Sequence, residues 1–124
     1  GITFGFSSLA DYRISKVKST EKSTEFSVNS QKFSIPTPFD KFVPNAAVAV
    51  ALASEIKIPA NVIINALQKP LSTAQRMEIT PRKNGFILND CYDANPDSMK
   101  AALDFWLKFK TEKPHIAVLG DMLE

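Results

Sequence analysis

Over the first third of the chain, apolar and polar residues form short mixed runs; beyond it they adopt helical spacing. Ile2 to Phe6, Tyr12 to Val17, Glu25 to Asn29 and Lys32 to Ile35 contain β-branched and aromatic residues. Clusters of Ser, Thr, Asn and Lys separate them, which predicts four short strands. Asn29-Ser30-Gln31 suits a hairpin connection. Pro36, Pro38 and Pro44 then interrupt regular structure, because proline has no N–H to donate. Asn45 to Glu55 is alanine-rich and predicts a helix with Asn45 near its start. That helix is apolar on nearly every face, so burial is expected. Pro59 opens a second helix, Ala60 to Leu67, with Val62, Ile63, Ala66 and Leu67 on one side. Lys69-Pro70 ends it, and the two form a helical hairpin.

Leu71 to Gln75 has the texture of a linker. Met77 to Thr80 predicts a strand, Pro81-Arg82-Lys83-Asn84-Gly85 a turn, and Phe86 to Asp90 the partner strand. A helix follows, with Asn95 as N-cap, Pro96 at the first helical position and Asp97 in the first turn. Met99, Ala102, Leu103, Trp106 and Leu107 recur at helical spacing and predict its buried stripe. His115 to Leu119 is a short apolar run of the kind found in inner parallel strands. The fold class expected is α/β: a β-rich and helical part, then one βαβ unit. A single such unit cannot bury both faces of its sheet, and the chain stops just past its last strand. A piece of a larger α/β protein is therefore expected.

Composition narrows the function classes. The chain has 124 residues, 44% of them hydrophobic, enough for one domain or two small ones. A net charge of +2, with no run rich in Lys and Arg, gives no reason to expect nucleic acid as a partner. Cys91 is the one cysteine, so an internal disulfide is excluded and a reducing compartment is expected. No apolar run nears the roughly 18–20 residues that span a bilayer. The N-terminus lacks the basic-then-apolar plan of a signal peptide. A cytoplasmic protein without membrane partners is the expectation.

The candidate chemistry lies in Asn89-Asp90-Cys91-Tyr92-Asp93-Ala94-Asn95-Pro96-Asp97-Ser98. A strand delivers polar side chains to a loop there, and a helix starts at once behind it. Ligands of open α/β sheets gather outside the carboxyl ends of strands, and a helix start offers N–H groups and a positive dipole end. Such geometry suits a nucleotide or another polar ligand. Each residue also has a plainer use. Asp90 can cap the turn after it, Asn45 can cap a helix, and Arg76 can pair weakly with Glu78. Asp90, Asp93 and Asp121 could form a Mg²⁺ site, although acidic strand-end loops commonly serve solubility. Cys91 reads as a small buried hydrophobe, His115 as structural, and Met99 and Trp106 as core.

Three segments together carry a family resemblance. They are Asn45-Ala46-Ala47-Val48-Ala49-Val50-Ala51, then Arg76-Met77-Glu78, then the pair Asp90-Cys-Tyr-Asp-Ala-Asn-Pro-Asp-Ser98 and Val118-Leu-Gly-Asp-Met-Leu-Glu124. In this order and spacing the chain resembles the Mur ligases of peptidoglycan synthesis. Within them it is most similar to the branch that joins D-alanyl-D-alanine to UDP-N-acetylmuramoyl-tripeptide. The resemblance implies that residues 1–75 correspond to the last part of a central ATPase domain. Residues 76–124 would correspond to the start of a Rossmann-like C-terminal domain.

The resemblance also implies ATP and Mg²⁺ as cofactors and carboxylate activation as an acyl phosphate. Carried over by position, Asn45 matches the residue at the adenine, Arg76 the hinge arginine at the nucleotide, and Asp90 the aspartate at the ribose. Tyr92 and Asn95 fall in the same loop as candidate lining of the ATP site. Catalytic and metal-binding residues are expected outside this chain, since no Gly-x-x-x-x-Gly-Lys-Ser/Thr phosphate loop occurs in it. The chain alone is thus expected to be inactive. Three positions depart from the family pattern: Lys41-Phe42 stands for His-Asn, Gln75 for Gly, and Asp93 for Asn. A sister ligase of folylpolyglutamate type, or a nucleotide-binding module without catalysis, is the alternative.

Overall fold

The computed structural model describes residues 1–70, 75–108 and 113–122. The chain divides into two compact units, Gly1–Leu71 and Ser72–Glu124. Residues 71–74 of the expected linker lie outside the described residues.

The first unit is a four-stranded sheet covered by two helices. Its strands are β1 (Phe4–Gly5), β2 (Tyr12–Ser19), β3 (Thr24–Val28) and β4 (Gln31–Ile35), in the order β1-β2-β3-β4. β1 runs parallel to β2, whereas β2-β3 and β3-β4 are antiparallel. Asn29 and Ser30 link β3 to β4, with φ of 47° and 72°. Two such left-handed residues match the twist of a two-residue hairpin. The first strand is shorter than the expected Ile2 to Phe6. Period-two alternation turns Thr24, Phe26 and Val28 inward, and Phe26 stacks on its cross-strand partner Phe33 at 5.9 Å between ring centres.

Helix α1 spans Val43–Glu55 and α2 spans Ala60–Leu67. α1 starts two residues before Asn45, because Pro44 fits the first turn, where a missing N–H costs nothing. Asn45 is therefore inside the helix and caps nothing. Lys57 ends α1 in a left-handed conformation (φ 62°), and the N–H groups of Lys57 and Ile58 return to the carbonyls of Ser54 and Ala53. The expectation of all-round burial is corrected. Val43, Ala46, Ala47, Val50 and Ala51 are buried, but Leu52 is 57% exposed, because α1 has the sheet on one side only. In α2 the packed side is Ile63, Ile64 and Leu67, with Val62 and Ala66 outside. The core joins these residues to Ile14, Phe26, Val28, Phe33 and Ile35.

The second unit pairs β5 (Glu78–Arg82) with β6 (Gly85–Asn89) in an antiparallel hairpin, followed by α3 (Pro96–Lys108). Lys83 and Asn84 form the turn, and Gly85 at φ 153° enters β6 with a backbone few other residues adopt. Trp106 of α3 meets Phe86 edge-on at 5.1 Å and His115 at 5.4 Å. Two expectations fail here. Residues 115–119 form no strand among the described residues, and no residue of α3 is fully buried. Leu107 is 73% exposed. The reason is common to both: an inner parallel strand needs ladders, and a helix stripe needs a sheet wider than one hairpin. No helix among the described residues is long and apolar enough to cross a membrane.

Candidate functional site

The end of β6 passes directly into Asp90, which is half-buried. Its Oδ1 accepts the backbone N–H of Met77 at 2.9 Å. The plainer alternative for Asp90 is a cap on the turn that follows; its carboxylate instead holds a segment thirteen residues earlier. Its second oxygen has no partner among the described residues. A second tie joins the same two segments, since the Tyr92 N–H donates to the Gln75 carbonyl at 3.1 Å.

The anchored segment is unusual. Gln75 and Met77 have φ of 64° and 49°, left-handed values that disfavour any side chain with a Cβ. Gln75 occupies the position where the resemblance expects glycine, the residue that adopts such φ without steric cost. Its N–H donates to Glu78 Oε2 at 3.3 Å. Between these two residues Arg76 projects its guanidinium over the Tyr92 ring, 4.0 Å from the ring centre. Glu78 and Arg76 form no ion pair among the described residues, so the weak pairing that is the plainer alternative for Arg76 is absent there and the guanidinium stacks instead. Arg76, Asp90 and Tyr92 are thus brought together.

Asn95 has a different task. Its Oδ1 accepts the Ser98 N–H at 2.9 Å, while the Ser98 Oγ accepts the Asn95 N–H at 3.1 Å. This reciprocal pair closes the start of α3 as a capping box does. The Asn95 Nδ2 donates to Asp93 Oδ2 at 3.2 Å, so the amide already serves two bonds within the loop. Ser98, three residues after Asn95, is the partner that sequence reasoning missed. The signal was present, since a polar side chain at that spacing is half of a capping box.

Asn45 belongs to the first unit, where it is exposed on α1 and its side chain has no hydrogen-bond partner among the described residues. Cys91 is exposed, not a buried hydrophobe, because the loop between β6 and α3 has nothing over it in its own unit. No group of three or more His, Cys, Asp or Glu side chains gathers among the described residues in a way that could hold a metal ion. The first unit has a cleft of about 400 Å³ lined by Tyr12, Asn29, Gln31, Ser54 and Lys57 among others. Sequence reasoning nominated none of these. Tyr12 donates its hydroxyl to Glu55 Oε1 at 2.8 Å, and this bond to a carboxylate raises the Tyr12 pKa.

Comparison with known proteins bears on the family and the fold. The family model for the Mur ligase, glutamate ligase domain, matches residues 75–124. The UDP-N-acetylmuramoyl-tripeptide--D-alanyl-D-alanine ligase of Bacillus subtilis is 32% identical over 125 residues, covering 98% of this chain and 27% of that protein. Among solved structures, MurF from Acinetobacter baumannii superposes with a TM-score of 0.77 at 22% identity, over 88% of this chain and 24% of that one. MurF from Thermotoga maritima in complex with ADP gives 0.68 at 19% identity, over 88% and 26%. At these identities the solved structures show a shared fold. The chain spans about a quarter of the length of the relatives it matches.

Proposed function

This chain belongs to the Mur ligase family, and from that premise we propose that it is the nucleotide-holding part of an ATP-dependent ligase. The ligase joins D-alanyl-D-alanine to UDP-N-acetylmuramoyl-tripeptide in the cytoplasm. The observation that carries the reading is the meeting of Arg76, Asp90 and Tyr92 where β6 gives way to the loop before α3. Bound ATP and Mg²⁺ would supply activation of the tripeptide carboxylate as an acyl phosphate, which the amine of D-alanyl-D-alanine attacks. Phosphoryl transfer depends chiefly on positioning and charge stabilisation.

The residues present fit the nucleoside end. Asp90 keeps one carboxylate oxygen free to accept ribose hydroxyls, since an ionised carboxylate is acceptor-only. Tyr92 is 61% exposed and offers an aromatic surface, and Arg76 brings a fixed positive charge beside it. Asn45, in the first unit, has its adenine assignment from the family resemblance alone. Asn95 shapes the loop by capping α3 and is assigned no direct contact. The phosphate loop that would hold the phosphates does not occur in this sequence, so the 124-residue chain alone should show no ligase activity.

The test is Asp90→Ala in the full-length enzyme. Hydrogen bonds to charged groups are worth about 1.5–3 kcal/mol, and about 1.4 kcal/mol is tenfold in affinity. The Michaelis constant for ATP should rise roughly tenfold or more, with binding of the UDP-linked substrate unchanged. An unaltered ATP constant would refute the nucleotide reading.

A further inference from the structure

Resting on the nucleotide-binding reading above, we infer that Asp90 is also a positioning residue. Through the Met77 N–H it holds residues 75–77 in their left-handed course and so seats Arg76 on Tyr92.

Two left-handed residues with side chains, Gln75 and Met77, flank Arg76 within three positions. Neither is a residue type that favours this conformation, and the one local bond, from the Gln75 N–H to Glu78 Oε2, is long at 3.3 Å. Such backbone persists only where surrounding bonds over-determine it. Two bonds do so here, Asp90 Oδ1 to the Met77 N–H and the Gln75 carbonyl to the Tyr92 N–H, at 2.9 and 3.1 Å. The first is charge-assisted and therefore the stronger. Both reach the short stretch 90–92, which also carries the ring that Arg76 covers. Asp90 thus fixes the arginine relative to the aromatic ring, and its second oxygen has no partner among the described residues. A relaxed 75–77 segment would let the guanidinium wander among rotamers, and a nucleotide would then have to order it on binding.

NMR of the 124-residue chain tests this directly. Stacking places the Arg76 δ-methylene and Nε–H protons in the shielding cone of Tyr92, so they should resonate upfield, and Tyr92→Leu should abolish that shift. Asp90→Ala should abolish it too, and should speed hydrogen exchange at the Met77 amide. Asp90→Asn retains a carbonyl oxygen for the Met77 N–H and should keep the shift. The Trp106 indole signal, remote from this tie and reporting α3 on β6, should not move in either variant. Retention of the Arg76 shift in Asp90→Ala overturns the inference, as does equal loss in Asp90→Asn. Collapse of the Trp106 signal in Asp90→Ala would also overturn it, by making Asp90 a general folding residue. ATP titration is read separately. An Asp90→Ala protein that loses the Arg76 shift but keeps wild-type ATP affinity leaves the positioning role standing and refutes the nucleotide reading.

Discussion

The Arg76 guanidinium carbon lies 4.0 Å from the centre of the Tyr92 ring, a cation held over the negative face of an aromatic. At exposed sites such a contact contributes about 0.5–1 kcal/mol. A double-mutant cycle of Arg76→Ala and Tyr92→Leu, read by denaturant unfolding of the second unit, should return a coupling of that size. Zero coupling would mean that the side chains do not meet in solution.

In the full-length enzyme Arg76→Ala should lower turnover and weaken ATP use, leaving UDP-substrate binding nearly intact. A guanidinium preset beside the proposed nucleotide site would gain a charge-assisted contact only when that ligand is present. Steady-state kinetics with each substrate varied in turn will show it. Equal weakening towards both ligands would assign Arg76 to folding.

Asn95 should matter for stability and little for nucleotide binding. Removing an N-cap oxygen costs about 1 kcal/mol. Asn95→Ala should therefore lower the unfolding free energy of the second unit by that amount, whereas Asn95→Ser should hold most of it, because serine is also a strong N-cap and sets no second carboxylate against Asp93. A large rise in the ATP constant for Asn95→Ser would reassign Asn95 to the ligand.

The two units should respond differently to loss of an aromatic. Phe26 is 1% exposed and stacked on Phe33, so Phe26→Ala should cost about 3–5 kcal/mol. Trp106 is half-buried, touching Phe86 and His115, and its indole N–H is buried without a partner among the described residues. Trp106→Ala should cost less than the Phe26 change. Equal losses in chemical denaturation would contradict the packing described.

The Tyr12–Glu55 bond gives the first unit an alkaline dependence. Hydrogen bonding to Glu55 raises the Tyr12 pKa above its ordinary 10.0. A raised folded pKa means that the contribution is full below about pH 10 and fades as pH rises through the folded value. Stability of the first unit should fall in that window, and Tyr12→Phe should flatten the fall. Asp11 acts at the other end. The Thr3 hydroxyl and N–H lower its pKa below 3.8, so its contribution is full above that value and fades as pH falls below it.

Local signals in the sequence were enough for the elements whose causes are local. The hairpin at Asn29-Ser30 follows from residues that tolerate left-handed backbone, and α2 runs from Ala60 to Leu67 as expected because prolines bracket it. Asn95 and Pro96 start α3 for the same kind of reason. The motif pair at residues 90–98 and 118–124 was also enough to identify the family.

What remained illegible depends on partners distant in the chain. The alanine-rich run reads as buried on every side, yet which side of α1 is covered is decided by the single sheet it meets. The run 115–119 has strand composition, but a strand exists only with a neighbour to pair with. Gln75 and Met77 carry no signal for left-handed backbone, since that conformation is held from outside by Tyr92 and Asp90. The nucleotide candidates could be named one at a time from the sequence. Their meeting, with Asp90 tying the segment that carries Arg76 to the loop that carries Tyr92, is a tertiary fact, because hydrogen bonds across thirteen residues leave no periodic trace in the chain.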